Sequence, residues 1–472
     1  MKVVFLYFIE ISKYFIALLI LLYTVVSVLA LFIKKVNESF FIVTFQRMII
    51  FVLQIFLFCT LMIVGKDPVY LALLLFVETF IMLSFILMGL IYKKYNKVLL
   101  NHMCLLSSIG LCILSRMSVT KSVKQYAILV MAFGISLAIP LLVQKLEKAI
   151  KWKYLYFLFG FLPLTIVFLW GQLTYGANIS FSIGGITFQP SEFVKLVFVF
   201  FLAAFLYNNQ SLLNLLFTSV LAGLHVIILV LSRDLGSALI FFVCYAFVVL
   251  LCTENFLYFG GIAVGGALMS VLAYRLFDHV RVRVLAWRNP WEYIDNQGYQ
   301  ITQSLFAIGS GSYFGLGLTK GNPKAIPFVD TDFVFSAVCE EMGIIVGICI
   351  MLISLCAFIM MLKVALQSKD LFYQIVVFGL GIMYIFQIFL TVGGGIKFIP
   401  LTGVTLPFIS YGGSSIMSST FLFAIVQGVY IRNLSNKKPQ STVIQRSNDE
   451  ENYDELYDWI EKQGRKRIQE RQ

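Results

Sequence analysis

The sequence predicts an all-α, polytopic membrane protein, and three observations lead there. Apolar residues make up 60% of the 472-residue chain, against roughly 45–50% in soluble domains, and the mean hydropathy is +0.90. The apolar residues gather into runs of about 20, the length that crosses a bilayer core of about 30 Å as a helix. No alternating ten-residue pattern of the barrel type appears, and backbone in lipid must pair within its own segment, so these runs read as helices.

In chain order, the N-terminus M-K-V-V-F-L-Y-F-I-E-I-S-K-Y lacks an A-x-A cleavage site and leads straight into apolar sequence, so it reads as a retained span. Three spans fit near 14–34, 41–64 and 69–92, in a block 1–97 expected to be an accessory transmembrane module. Ten more follow near 98–115, 125–144, 154–172, 191–208, 211–231, 235–252, 256–275, 333–362, 372–394 and 404–431, giving a core at 98–432. Short polar hinges such as Y-N-N-Q (207–210) and C-T-E-N (252–255) separate several of them. A long polar loop, 276–331, interrupts the core, and residues 433–472 form a charged tail. Lysines collect in alternate loops (Lys34 and Lys35; Lys93, Lys94 and Lys97; Lys145, Lys148, Lys151 and Lys153; Lys363 and Lys369), with Lys437 and Lys438 in the tail. These mark the cytoplasmic side and leave the N-terminus and the 276–331 loop outside. Arg116, Lys121 and Lys124 fall outside and run against that pattern.

Ionisable residues at span ends carry most of the functional information. Glu192 and Lys195, Arg233 and Asp234, Asp330 and Asp332, Glu340 and Glu341, and Lys397 all lie at outer ends, so five helices are expected to bring them to one depth. A charge at the centre of a spanning helix costs roughly 2.5–3.5 kcal/mol on insertion scales, which makes such residues functional candidates. The eight cysteines sit in or beside apolar runs without CxxC or zinc spacing and read as small buried side chains. Three scattered histidines make a histidine metal site or a serine–histidine–aspartate triad improbable. No GxxxxGK[ST] occurs, so no nucleotide is expected. A net charge of +12 suits membrane lipid headgroups or a phosphorylated substrate, with no nucleic-acid partner expected.

Four stretches stand out. F-Q-P-S-E-F-V-K (188–195) opens a span with Pro190 at its first turn and sets Glu192 and Lys195 on one face. R-D-L-G (233–236) opens another, with Asp234 expected simply to cap it. The glycine-rich run 309–321 has the wrong spacing for a dinucleotide loop and reads as turns that fold back onto the membrane surface. I-K-F-I-P-L-T-G-V-T-L-P-F-I-S-Y-G-G-S-S (396–415) reads as a broken, re-entrant approach to the last span, tolerated only where it lines a cavity.

Q-P-S-E, D-L-G, N-P-W…G-Y-Q-I-T-Q-S-L-F-A-I-G-S-G, T-D-F-V-F-S-A-V-C-E-E-M-G and P-L-T-G-V-T-L-P-F-I-S-Y-G-G-S-S together strongly resemble the SEDS family (FtsW, RodA, SpoVE) across the ten-span core. The resemblance implies a peptidoglycan glycosyltransferase of cell division, elongation or sporulation. It would polymerise lipid II, the undecaprenyl-diphosphate-linked disaccharide peptide, on the outer face of the bacterial cytoplasmic membrane. It implies that Asp332, in T-D-F, is the catalytic residue, and that a class B penicillin-binding transpeptidase is the partner. Substrate contacts are expected at Gln189, Glu192, Lys195, Arg281, Arg283, Arg288, Gln303, Glu340, Lys397, Ser414 and Ser415. Two departures concern the site. The Arg-Trp pair that often precedes Q-P-S-E is replaced by G-A-N-I-S-F-S-I-G-G-I-T, and the position before T-D, often histidine, is Asp330. The three N-terminal spans have no counterpart in the usual layout.

The implied chemistry needs a carboxylate to take a sugar hydroxyl proton and cations for the diphosphate. A divalent metal, Mg²⁺ or Mn²⁺, is expected to join the basic residues. Asp330, two residues from Asp332, could share or replace its role. A lipid II flippase or transporter and a non-catalytic scaffold of the cell-wall machinery stay open as alternatives. Transporter sites, however, usually lie near the bilayer midplane in repeated halves, and no repeat is found here.

Overall fold

The computed structural model describes residues 2–33, 36–145, 150–174, 177–183, 186–208 and 210–436. Lys34, Lys35, Lys148, Asn209 and the tail from 437 onward lie outside the described residues. Residues 1–431 form one compact unit. Its helices are α1 Lys2–Phe32, α2 Phe40–Gly65, α3 Val69–Ile91, α4 Lys97–Met117, α5 Val119–Ser136, α6 Ile139–Lys145, α7 Lys153–Trp170, α8 Pro190–Leu206, α9 Leu212–Leu231, α10 Leu235–Thr253, α11 Phe256–Leu276, α12 Asp278–Arg288, α13 Tyr299–Gly311, α14 Val334–Met342, α15 Ile344–Leu366, α16 Leu371–Gly395 and α17 Gly413–Ser435.

Among the described residues, twelve helices are long and apolar enough to cross a membrane, with α5 and α6 making one such unit. The remaining expected span is α8, whose 17 residues reach only about 25 Å. Nearly every α8 side chain is buried among neighbouring helices, so it is shielded from lipid along its length. The chain is a multi-pass membrane protein, and its fold is helical as expected.

Local sequence explains where the structure departs from the expected spans. The run 333–362 is two helices, because Gly343 (φ 91°) breaks it. A Cβ there would stand 2.3 Å from the Tyr313 carbonyl oxygen, so the close approach of the glycine-rich run requires glycine. The span expected at 125–144 begins earlier, at Val119, where Ser118 caps α5 by accepting from the Lys121 N–H. It breaks between Ser136 and Ile139, because Pro140 has no N–H to donate to the Ser136 carbonyl and its ring crowds that turn. The loop 276–331 is largely ordered into α12, α13 and a 3₁₀ turn, Pro323–Ala325. Between α7 and α8 lies a three-stranded antiparallel sheet that no span pattern anticipates: β1 Gln172–Thr174, β2 Ala177–Ile183 and β3 Ile186–Phe188. Its signal is the period-two alternation of I-S-F-S-I.

Helix α4 is the central post, buried throughout its membrane window. Polar pairs fix α1 and α2 against it. Tyr23 Oη lies 2.9 Å from His102 Nδ1, Asn101 donates to Gln46 Oε1 at 3.0 Å, and Gln54 donates to Ser108 Oγ at 2.6 Å. Such bonds are a main source of specificity between helices in lipid, where apolar contact alone offers little preference. At one end of α1, Glu10 pairs with Lys320, and Tyr14 packs 5.2 Å from the Phe314 ring. At the other end, Lys363 of α15 donates to the Leu31 carbonyl. The start of α1 therefore lies on the same side as the glycine-rich run, as the lysine pattern expects.

Two outcomes test this arrangement. Replacing Asn101 by alanine leaves Gln46 and Arg47 short of partners in an apolar setting. It should cost about 1–3 kcal/mol, read as a lower melting temperature of the purified protein in detergent. Single cysteines introduced at Asn296 and Lys320 should label with an impermeant maleimide from the same side of sealed cells, and one at Lys369 only from the other.

Candidate active site

The site is built where α8, α10, α12, α16 and α17 meet the irregular segment 396–412. Its deepest part is the Lys195 ammonium, which donates to Glu192 Oε2 at 2.6 Å and to Gln387 Oε1 at 2.8 Å. Ser418 donates to the same Glu192 oxygen at 2.8 Å. Lys195 is 4% and Glu192 8% exposed, so this is an ion pair withdrawn from solvent and bound to α16 and α17. Gln387 passes the link on, donating to the Thr405 carbonyl at 3.0 Å, while Thr405 Oγ1 donates to Ser415 Oγ at 2.7 Å. The broken approach to α17 is thus held by side chains of α16, which supply the partners its backbone lacks.

Towards the start of α10, a second group forms around Asp234. Its Oδ1 caps α10 by accepting from the Ser237 N–H at 3.0 Å, as expected. Its Oδ2 does more, accepting from Ser191 Oγ at 3.1 Å and from Gln189 Nε2 at 3.4 Å. The Gln189 N–H donates to Ser414 Oγ at 2.9 Å, so the end of the small sheet, α8, α10 and α17 converge here. Burial raises the Asp234 carboxyl above its ordinary range, against bonds from Ser237 and Ser191 that oppose the shift.

Asp332 sits just ahead of α14, half-buried. Burial pushes its carboxyl up to about 6; Thr331 and the Arg283 guanidinium pull it back, and Asp330 pushes it further up. Arg283 feels Asp234 and Asp332 alike, and burial holds its own affinity for protons below the usual level. One guanidinium thus stands among two carboxylates from different helices. Arg283 also donates to the Leu401 carbonyl at 3.1 Å, and Trp287 to the Lys397 carbonyl at 3.1 Å, which lays α12 over the irregular segment. Gly403 (φ 73°) comes over the acid itself, and a Cβ there would lie 3.6 Å from Asp332 Oδ2.

Asp330 is separated from this group by its own contacts. It pairs with Lys121, whose ammonium also lies 5.5 Å from the centre of the Tyr411 ring. Its carbonyl accepts from the Tyr411 N–H at 2.7 Å. Two neighbouring aspartates therefore have different surroundings, one tied to a lysine and one facing an arginine.

The structure does not bring every expected residue to one place. Arg281 pairs with Asp278 at 3.2 Å, and both Arg281 and Arg288 lie exposed on α12, so Arg283 alone of the three joins the carboxylates. Lys397 is half-buried with φ 61°. Gln303 is half-buried on α13 and makes no hydrogen bond among the described residues; next to it, Ser304 bonds Ser336 Oγ at 2.6 Å and the Gly395 carbonyl at 2.7 Å. Glu340 and Glu341 form a separate brace. Glu341 pairs with Arg116 at 3.1 Å, Glu340 accepts from the Asn322 N–H at 2.8 Å, and their carbonyls accept from Gly317 and Leu316 respectively. They hold the glycine-rich run onto α14, so convergence of all outer carboxylates on one site gives way to two groups with separate work. Sequence reasoning missed Lys121, Gln387, Ser418 and the outward role of Asp234. The available signals were the lysine on the wrong side of the charge pattern and a glutamine inside an apolar run.

The family model described as cell cycle protein, covering FtsW, RodA and SpoVE, matches residues 96–434. The peptidoglycan glycosyltransferase RodA of Mycobacterium tuberculosis is 34% identical over 276 residues, 53% of this chain and 57% of that protein. This chain therefore spans little more than half the length of that relative. The probable peptidoglycan glycosyltransferase FtsW of Wigglesworthia glossinidia brevipalpis is 32% identical over 360 residues, 70% of this chain and 92% of that one. Among solved structures, a chain of a peptidoglycan synthase complex, described for its coordination of polymerisation and crosslinking, superposes with a TM-score of 0.60 at 23% identity. That match covers 72% of this chain and 98% of the other, and it shows likeness of fold.

The buried ion pair gives a test independent of any activity. Lys195→Met strands the Glu192 carboxylate, and breaking a buried pair typically costs about 3–5 kcal/mol. The double variant Lys195→Met/Glu192→Gln should recover much of that loss in a thermal unfolding assay, because no unpaired charge then remains.

Proposed function

The chain belongs to the FtsW/RodA/SpoVE family of cell cycle proteins, and on that premise we propose that it is a peptidoglycan glycosyltransferase polymerising lipid II. The site would face outward from the bacterial cytoplasmic membrane, on the side of the 276–331 loop. The observation that carries the reading is Asp332, a half-buried carboxyl raised to about 6 with the Arg283 guanidinium beside it. Base catalysis is most effective when the carboxyl's pKa lies near the working pH.

In this reaction a sugar hydroxyl of one lipid-linked disaccharide attacks the anomeric carbon of another glycan. A new glycosidic bond forms, the bond to the lipid diphosphate breaks, and Asp332 takes the hydroxyl proton. The energy resides in the substrate's diphosphate ester, which suits a chain without a nucleotide motif. Arg283 has two tasks, keeping Asp332 ionised and presenting positive charge where the diphosphate leaves. Lys397, half-buried in the segment that α12 covers, is a further cation available to the diphosphate. Lys195 serves to hold the bundle, since its ammonium is committed to Glu192 and Gln387.

A resident divalent cation does not fit the residues present. No group of three potential ligands occurs among the described residues. Asp330 is occupied by Lys121, and Asp234 by Ser191 and Ser237. Mg²⁺ or Mn²⁺ would instead arrive with the substrate diphosphate, where such ions commonly bind through one or two carboxylates and keep several waters. The partner proposed is a single-pass class B penicillin-binding transpeptidase, in keeping with the synthase complex whose chain shares the fold.

Two measurements on purified protein with lipid II decide the assignment. Asp332→Asn keeps size and hydrogen bonding but cannot accept the proton, and should lose about 10²-fold or more of the polymerisation rate while still binding lipid II. Asp330→Asn should cost less, and the reverse order would move the base by two residues. The base works ionised, so the wild-type rate should climb with pH through about 6, the value to which burial raises Asp332. The residual rate of Asp332→Asn should be flat across that range. A wild-type profile with no such limb would count against the assignment.

A further inference from the structure

Helix α3 carries a carboxylate that the proposed reaction does not use. Glu78 lies nine residues into the helix, about 14 Å along its axis from the outer end, and so near the middle of the bilayer. It has no hydrogen bond or ion pair among the described residues, and its Oε1 is buried without a partner. Glu340 also leaves one oxygen, Oε2, buried without a partner, but its Oε1 accepts from the Asn322 N–H, whereas no side-chain partner meets Glu78 among the described residues. On the flank towards α2, Arg47 lies 4.2 Å from the centre of the Phe85 ring, two turns from Glu78. Arg47 is already engaged with Tyr95 at 3.0 Å and Asn101 at 3.4 Å.

The surroundings of Glu78 indicate what it awaits. Leu71, Leu75, Met82, Ile86 and Leu90 are exposed along one face of α3, while Leu74, Val77, Ile81 and Phe85 turn inward. Glu78 stands at the edge of the exposed stripe on the side that turns towards α2, where Phe85 meets Phe51. The stripe is long enough to accept a single spanning helix, and its polar groups are this acid and Thr79, whose hydroxyl donates to the Leu75 carbonyl at 2.6 Å. An unpaired carboxylate at that depth is costly, and intramembrane acids normally find a cationic partner.

We propose that this face of α3 is the docking seam for one transmembrane helix of another protein, bearing a lysine or arginine at the depth of Glu78. The cation completes the charge pair, and the apolar stripe sets the helix alongside α3. The seam lies in the N-terminal block rather than in the matched region 96–434, so it adds an interaction surface to the core without altering the catalytic residues.

The experiment uses the full chain in phosphatidylethanolamine/phosphatidylglycerol vesicles, with Leu75 replaced by a photocrosslinking phenylalanine analogue. The probes are leucine–alanine spanning peptides carrying a central lysine, leucine or glutamate. The lysine peptide should crosslink about tenfold more than the leucine peptide, as one interhelical polar contact in lipid is worth, and the glutamate peptide least. Glu78→Gln should remove that excess while eluting and polymerising as the wild type does. Glu78→Asp should retain part of it, which separates loss of charge from misfolding. Equal yields with lysine and leucine peptides, or an excess that survives Glu78→Gln, would overturn the proposal. So would a dominant adduct between two copies of this chain, which would assign the stripe to self-association instead.

Discussion

The Lys195 ammonium, withdrawn from water and shared by Glu192 and Gln387, is the constraint on which the rest of the site depends. Neither charge could remain in that setting alone, because the desolvation cost of each is met only by the other. The pair therefore fixes α8 against α16, and Ser418 draws α17 to the same point. Gln387 extends this order outward by accepting with one end of its amide and donating with the other to the Thr405 carbonyl. A single buried charge pair thereby sets the position of a stretch of backbone that has no secondary structure of its own.

That stretch, 396–412, matters because non-helical backbone at membrane depth must find its partners in the protein. Here they come from Gln387 and Thr391 below, Arg283 and Trp287 above, and Gln125 from α5, which donates to the Ser410 carbonyl at 3.1 Å. Asp332 gains its character from the same arrangement. The covering loop removes water from the carboxyl and raises its affinity for protons, while Arg283, held in place by the loop carbonyl, limits that rise. Covering the acid and placing the guanidinium beside it are one structural event.

Much of this was legible in the sequence, and what was not has identifiable causes. Helix positions follow from apolar runs, and the broken approach to α17 follows from Pro400, Gly403 and Pro407 in an otherwise apolar segment. The break at Gly343 was hidden because its neighbours are apolar on both sides, and only the approach of the Tyr313 carbonyl shows why glycine is needed there. The small sheet was hidden because its strands are shorter than a spanning run, although their alternation was visible. Lys121 and Arg116 were read as exceptions to the charge rule. They sit on the same side as Asp330 and Glu341, with which they pair. Tertiary pairing overrode a statistical tendency whose origin lies in membrane insertion.

The N-terminal block shows the same logic in a different place. Its expected status as an accessory module rests on sequence layout, yet its polar side chains reach deep into the core. Tyr23 meets His102, Gln46 meets Asn101 and Gln54 meets Ser108, all on the buried post α4. A helix with that many inward polar groups would be poorly solvated by lipid, so α1 and α2 complete the environment α4 requires. Helix α3 contributes less to this, since its outward face is apolar and its one acid is unpaired. The block therefore divides into two parts. Helices α1 and α2 belong energetically to the core, whereas α3 presents to the bilayer an acid that meets no partner among the described residues.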